Sequence, residues 1–280
     1  MSPLAKHQDL LYVSLADPNE HVVLVYAYRT ATVLGTIAGF KYPQALCLNQ
    51  TGDLYVSDDA RHQIFELHRG ETTPFKVLVD PLGQPLGCAV DPTTGDLAVA
   101  NFTGNTQGGN LAIFHHDRGI PRMYVTGAMY YYFFPAYDQH GNLFVDGENE
   151  SVSLASLAEL PAGGKKLISL SVDPAIEYPG GMYWDGRYLA VGDQDARAVY
   201  EFSISGSSAT LENITRVRSA QDLFEFWISP TDKTLVGANY GSGHCEGSQV
   251  YYWRYPKGGM PLRSFEGVPC ASGVVVSLAR

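Results

Sequence analysis

A short alternating strand returns six times along this chain at nearly constant spacing. It reads Leu11-Tyr12-Val13-Ser14, Leu54-Tyr55-Val56-Ser57, Leu97-Ala98-Val99-Ala100, Leu143-Phe144-Val145-Asp146, Leu189-Ala190-Val191-Gly192 and Leu235-Val236-Gly237-Ala238. The leading leucines at 11, 54, 97, 143, 189 and 235 are 43, 43, 46, 46 and 46 residues apart. A period of about 40–50 residues marks an array of one supersecondary unit whose apolar faces are buried only by its neighbours.

Each unit continues in the same way. A second strand follows a polar loop (Val22–Tyr28, Ile64–Leu67 and their counterparts), then an outer strand (Thr32–Ile37, Lys76–Val79), then a short strand of small or apolar residues (Ala45–Leu48, Gly87–Val90). Glycine-bearing turns such as Asn49–Asp53, Asp91–Asp96 and Asp138–Asn142 lead to the next repeat, glycine supplying the positive φ that tight hairpins need. Even phasing favours radial closure over a β-sandwich. The expectation is an all-β, six-bladed β-propeller of four-stranded antiparallel blades, one domain over residues 1–280. Its repeats run over about 10–51, 52–94, 95–140, 141–185, 186–232 and 233–280. The C-terminal strand Gly273–Ser277 should complete the blade begun by residues 10–38, closing the ring.

Composition fits that plan. Charged residues are only 17%, against roughly 25% in ordinary soluble domains, as expected if strands bury both faces. The net charge of −10 excludes a nucleic-acid backbone binder, which needs a basic stripe. No run of 18 apolar residues suggests membrane insertion. Cys47, Cys88, Cys245 and Cys270 show no CxxC spacing, so a zinc knuckle is not expected. Cys245 and Cys270 fall on loops of one blade and form the candidate disulfide; Cys47 and Cys88 read as buried small apolar residues. No signal peptide is visible, yet few lysines and many Tyr, Gly, Ser and Thr favour a secreted or periplasmic setting over the cytoplasm. A monomer is expected.

The run Pro85–Leu97, its echo Asp138-Gln139-His140-Gly141-Asn142-Leu143-Phe144-Val145, and the strand-ending Asp58 and Asp193 resemble the NHL-repeat propellers. The wider superfamily includes the gluconolactonase/senescence-marker and streptogramin-lyase families. The likeness spans nearly the whole chain. It implies a ligand pocket at the channel mouth, on the face bearing the long loops that follow each repeat's leading strand (second to third strand of a blade) and those leading into the innermost strands. The metal-dependent relatives use a Glu/Asn/Asp set reaching into the channel; here no inward glutamate is matched. The family's Asp-x-x-Asn-x-Arg loop is degraded to Asp58–Ile64, and the fourth and sixth repeats lack it.

Two groups fall on that face. One is aromatic: Tyr130, Tyr131, Tyr132, Phe133 and Phe134, with Tyr42, Tyr178, Phe224 and Tyr240 on neighbouring loops, a platform for sugar rings or peptide side chains. Five consecutive aromatics cannot all face inward on one strand, so Tyr131 or Tyr132 should reach the mouth. The other is polar: His21, His62 and His244, with Asp58, Asp59 and Asp193 as acidic partners for a divalent cation (Ca²⁺, Mg²⁺ or Zn²⁺). Asp58, Asn101, Asp193 and Asn239 share a recurrent strand-end position, whose structural role would be to cap loop amides. No Gly-x-Ser-x-Gly elbow, P-loop or dinucleotide fingerprint is present. The expected function is therefore non-catalytic binding of a glycan, peptide or protein. The alternatives are a metal-dependent hydrolase or lyase, with a histidine as base, and a scaffold subunit.

Overall fold

The structure, a computed structural model, describes residues 1–105, 108–242 and 245–279. It is built almost wholly of strands. The first unit holds β1 (Leu10–Ala16), β2 (His21–Ala27) and β3 (Thr32–Ile37); the second, β4 (Pro43–Leu48), β5 (Leu54–Asp58), β6 (Gln63–Leu67) and β7 (Lys76–Val79). The third holds β8 (Gly83–Val90), β9 (Leu97–Gly104), β10 (Asn110–Phe114) and β11 (Arg122–Tyr124); the fourth, β12 (Tyr131–Tyr137), β13 (Leu143–Asn149), β14 (Val152–Leu160) and β15 (Ile168–Asp173). The fifth holds β16 (Pro179–Trp184), β17 (Leu189–Asp193), β18 (Ala198–Ser205) and β19 (Ser208–Arg216). Last come β20 (Leu223–Ile228), β21 (Thr234–Asn239), β22 (Gln249–Arg254), β23 (Arg263–Phe265) and β24 (Ala271–Ser277).

Within each unit neighbouring strands pair antiparallel. The units form four four-stranded sheets and one of eight strands. In the eight-stranded sheet β15 pairs parallel with β19, Ser171–Asp173 against Ser208–Thr210, so the fourth and fifth units are joined at their outer rims. The expectation of six separate sheets is corrected there. Outer strands splay apart in a radial array, and only where two of them lie side by side can their free edges pair.

Burial falls outward. All seven residues of β1 and of β24 are buried, whereas the outer strands bury far less, Leu34 and Ile37 in β3 and Leu78 in β7. Inner and second strands are packed on both faces and outer strands on one, which explains the scarcity of charge. The turns behave as their composition suggests: Asn49, Asp91, Asp138 and Asp185 each accept backbone N–H bonds from two or more residues further on.

The innermost strands β24, β4, β8, β12, β16 and β20 pack in that order, and β20 returns to β24. This is a β-propeller, and its ring is closed by the pairing of β24 with β1 from Leu10↔Ser277 onward. Arg69, just after β6, clasps both ends of the chain: its guanidinium donates to the Ala5, Gln8 and Ser277 carbonyls and to Ser277 Oγ. Cys47 and Cys88 form a disulfide between the adjacent strands β4 and β8. They are therefore not free apolar thiols; side by side on neighbouring inner strands, their side chains meet.

Arg69→Ala should lower stability by about 2 kcal/mol, because several carbonyls around the closure lose a charged donor. Thermal unfolding checks this, and Arg69→Lys should recover little, since one ammonium cannot reproduce a planar fork.

Candidate functional site

The strand-end acids and amides set out the geometry of the long-loop face. Asp58 is fully buried, its carboxylate accepting from Lys41 N at 2.7 Å and Tyr42 N at 3.0 Å. Asp193 accepts from Glu177 N at 2.8 Å, Tyr178 N at 3.4 Å and Ala196 N at 3.0 Å. Asn239 Oδ1 accepts from Gln221 N at 2.7 Å and Asp222 N at 3.0 Å, while its Nδ2 donates to Gly247 O. Each clamp therefore holds the residue just before an inner strand: Tyr42, Tyr178 and Asp222. The third unit uses a relay, Asn101 Nδ2 donating to Asp80, whose carboxylate takes Leu82 N. In the fourth, Asp146 accepts from Phe134 N at 2.7 Å.

The aromatic residues divide by depth. Tyr131–Phe134 open the strand β12 rather than lying in a loop, in keeping with the strand preference of aromatic side chains. Tyr132 is fully buried between the third and fourth units, with its hydroxyl accepting from Thr126 N. It is a core residue, contrary to its expected place at the mouth. Phe134 is buried too and meets Phe224 of β20 at 5.4 Å, two units away around the ring. With Ala45 and Leu86 they belong to one apolar cluster beneath the mouth.

Above this layer sit half-buried rings. Tyr131 stacks on Phe102 at 4.9 Å and meets Tyr130 edge-on at 4.9 Å. Phe224 touches Tyr240, whose hydroxyl shares a hydrogen bond with Tyr42. Tyr178 stands over Phe133 at 5.8 Å and is 37% exposed. Three carboxylates surround it. Burial, then the nearby Asp195, pushes Asp222 up to about 6, and the same two causes raise Glu148. Burial followed by the charges of Glu148, Asp222 and Asp195 raises the Tyr178 phenol. Among the described residues none of these carboxylates is in an ion pair, and Asp222 Oδ1 is buried without a partner. The acidic trio was missed in the sequence because its members come from three different units.

The polar candidates are more dispersed. His62 lies beside Asp59 in the turn after β5, and Asp59 is raised by burial and by neighbouring Asp58 against the pull of His62. His21 opens β2, and His244 lies outside the described residues. The described residues do not bring His21 and His62 into one three-ligand group. The group that does converge within 4.8 Å is Asp96, His115 and His116, on the opposite face. Cys245 and Cys270 are joined as a disulfide, which fixes the loop after β21 to the start of β24.

One inward glutamate left no trace in the repeat pattern. Glu225 of β20 is buried, and its carboxylate accepts from Val274 N of β24 at 2.7 Å and Leu46 N of β4 at 3.1 Å. It lines a cavity of about 280 Å³ bounded by the far halves of the inner strands.

No protein-family model matches the sequence, and no curated protein does. The fold has clear structural relatives. A chain of a nidogen/laminin complex superposes with a TM-score of 0.76 at 13% identity, covering 97% of this chain and 99% of that one. A protein of unknown function from Bacteroides caccae gives 0.69 at 12%, covering 96% and 99%. The Cps50 (Swd1) β-propeller domain of Myceliophteria thermophila gives 0.60 at 16%, covering 92% and 83%. At these identities the likeness establishes the propeller fold alone.

Asp222 yields a signed pH dependence. Its native pKa lies above the ordinary 3.8, so this group favours the folded state fully below pH 3.8 and loses that contribution as pH rises towards 6. Asp222→Asn should therefore stabilise the protein by about 1–2 kcal/mol at pH 7.5 and by much less at pH 4.5. Urea unfolding at the two pH values checks this.

Proposed function

We propose that this chain is a non-catalytic binding β-propeller whose long-loop face takes a peptide or protein ligand carrying a basic side chain. In this reading the eight-stranded sheet counts as two blades joined at their rims, so that six blades surround the axis. The observation that carries it is the mouth itself: Glu148, Asp195 and Asp222 around the 37%-exposed Tyr178, without a protein cation among the described residues. A lysine or arginine placed there would meet carboxylates and a phenol ring together, combining charge-assisted hydrogen bonds with a cation–π contact.

The support is physical rather than genealogical. The clamps at Asp58, Asp193 and Asn239 pre-position Tyr42, Tyr178 and Asp222, which lowers the ordering cost of binding. One structural neighbour was solved in a nidogen/laminin complex, a protein–protein assembly. The two disulfides support an oxidising, extracytoplasmic setting. No helix among the described residues is long and apolar enough to cross a membrane. The metal-dependent hydrolase reading has less behind it, because Asp58 and Asp193 spend their carboxylates on backbone amides.

A peptide array of varied charge should select Lys- or Arg-bearing sequences, with binding that weakens as salt rises. Tyr178→Ala and Asp222→Asn should each weaken a selected peptide at least about tenfold, while Tyr132→Phe should leave it unchanged. The affinity should climb between pH 5 and 7 as Asp222 ionises around 6. Selection of neutral glycans, or of acidic peptides, would count against this assignment.

A further inference from the structure

The cavity at the far end of the ring is separate from the long-loop face, and its chemistry is the same whatever that face binds. The cluster of Ala45, Leu86, Phe134 and Phe224 lies on the long-loop side of the inner strands, and the cavity is lined by residues further along the same strands. All six inner strands contribute to its wall. The wall carries Tyr137, Tyr183, Trp184 and Trp227, and among the described residues Glu225 is its only charged side chain.

Glu225 is an unusual group to find there. It is 7% exposed, and among the described residues no lysine, arginine or histidine lines the cavity with it. Burial pushes its carboxyl well above the usual range, although the amides of Val274 and Leu46 pull the other way. Those amides lie mainly on Oε2; Oε1 has only a 3.3 Å contact with Leu46 N, and an ionised carboxylate can accept about four bonds. Trp184, on the same wall, holds a buried Nε1–H with no acceptor.

We infer that this cavity binds a small organic ammonium compound, its cationic nitrogen against Glu225 and its apolar or aromatic body against Trp184 and Trp227. Each part of the wall selects for one part of such a molecule. A buried carboxyl with no ionic partner is stabilised as the carboxylate by a cation that can hydrogen-bond to it, and aromatic rings favour the same charge through their faces. An anion would meet Glu225 with no positive partner. A bare metal ion would find a single carboxylate where oxygen-bound cations take six or more ligands. A space of about 280 Å³, roughly nine waters in volume, suits a ligand of about ten non-hydrogen atoms and excludes a folded partner.

Benzylammonium chloride and its neutral counterpart benzyl alcohol are the probes, followed by tryptophan emission, since two of the three tryptophans line the cavity. Benzylammonium should give a saturable change, and benzyl alcohol should bind at least about tenfold more weakly. Glu225→Gln, which keeps the shape and removes the charge, should abolish the difference between the probes, and Trp227→Phe should remove most of the signal without abolishing binding by calorimetry. Should Glu225→Gln fail to fold, the comparison of the two probes on the unaltered protein still decides. Equal affinity for both, or no saturable response to benzylammonium up to about 10 mM, overturns the inference.

Discussion

Everything in this molecule depends on closing a ring whose first and last units are far apart in sequence. A row of blades leaves two large apolar faces and two sets of inner-strand polar groups uncovered until the ends meet. Closure here uses interactions of different kinds at different radii. β24 pairs with β1 along the backbone, Arg69 binds both termini at the rim, and near the axis Glu225 receives amides from β24 and β4. The Cys245–Cys270 disulfide adds a covalent tie between the last unit and the closing strand. These links all fall at or beside one seam, where the chain must assemble non-local partners and loop-closure entropy is greatest.

The same clamps that stabilise loops also create the binding face. An Asp or Asn at the end of β5, β17 or β21 satisfies amides that would otherwise be buried without partners. Because those amides belong to the residues entering the inner strands, satisfying them fixes Tyr42, Tyr178 and Asp222 at the mouth. Stability and recognition are thus coupled through one hydrogen-bond pattern. The acids Glu148 and Asp222, raised by burial and by the nearby Asp195, run the other way: their ionisation costs stability in the free protein, a cost that a cationic ligand would relieve.

Much of this was legible in the sequence, and the limits have physical causes. The repeat spacing and the Gly-Asp turns give the strand order and the closing strand, since both derive from local pattern. The capping role of Asp58, Asp193 and Asn239 was equally readable from their recurrence. The rim pairing of β15 with β19 was not, because it depends on how two outer strands lie in space. The Tyr130–Phe134 run resisted assignment since aromatic residues suit a strand's core side and a ligand face alike; β12 sends Tyr132 into the core and leaves Tyr131 half-buried. Cys47 and Cys88 did leave a signal, sitting 41 residues apart, close to one repeat, on inner strands that a ring must place side by side.

Glu225 shows where repeat logic stops. It stands between Phe224 and Phe226 on an inner strand where the other units carry small or apolar residues, and a one-dimensional pattern records that only as a broken rule. In the ring the exception acquires partners: the channel-side amides of β24 and β4 lie within its reach because the inner strands converge there. A neutral side chain could satisfy such amides at lower desolvation cost, so amide capping alone does not call for a carboxylate. Its charge makes physical sense where the wall's aromatic rings and the carboxylate can act on the same cation, which is a property of the closed ring and of no single repeat.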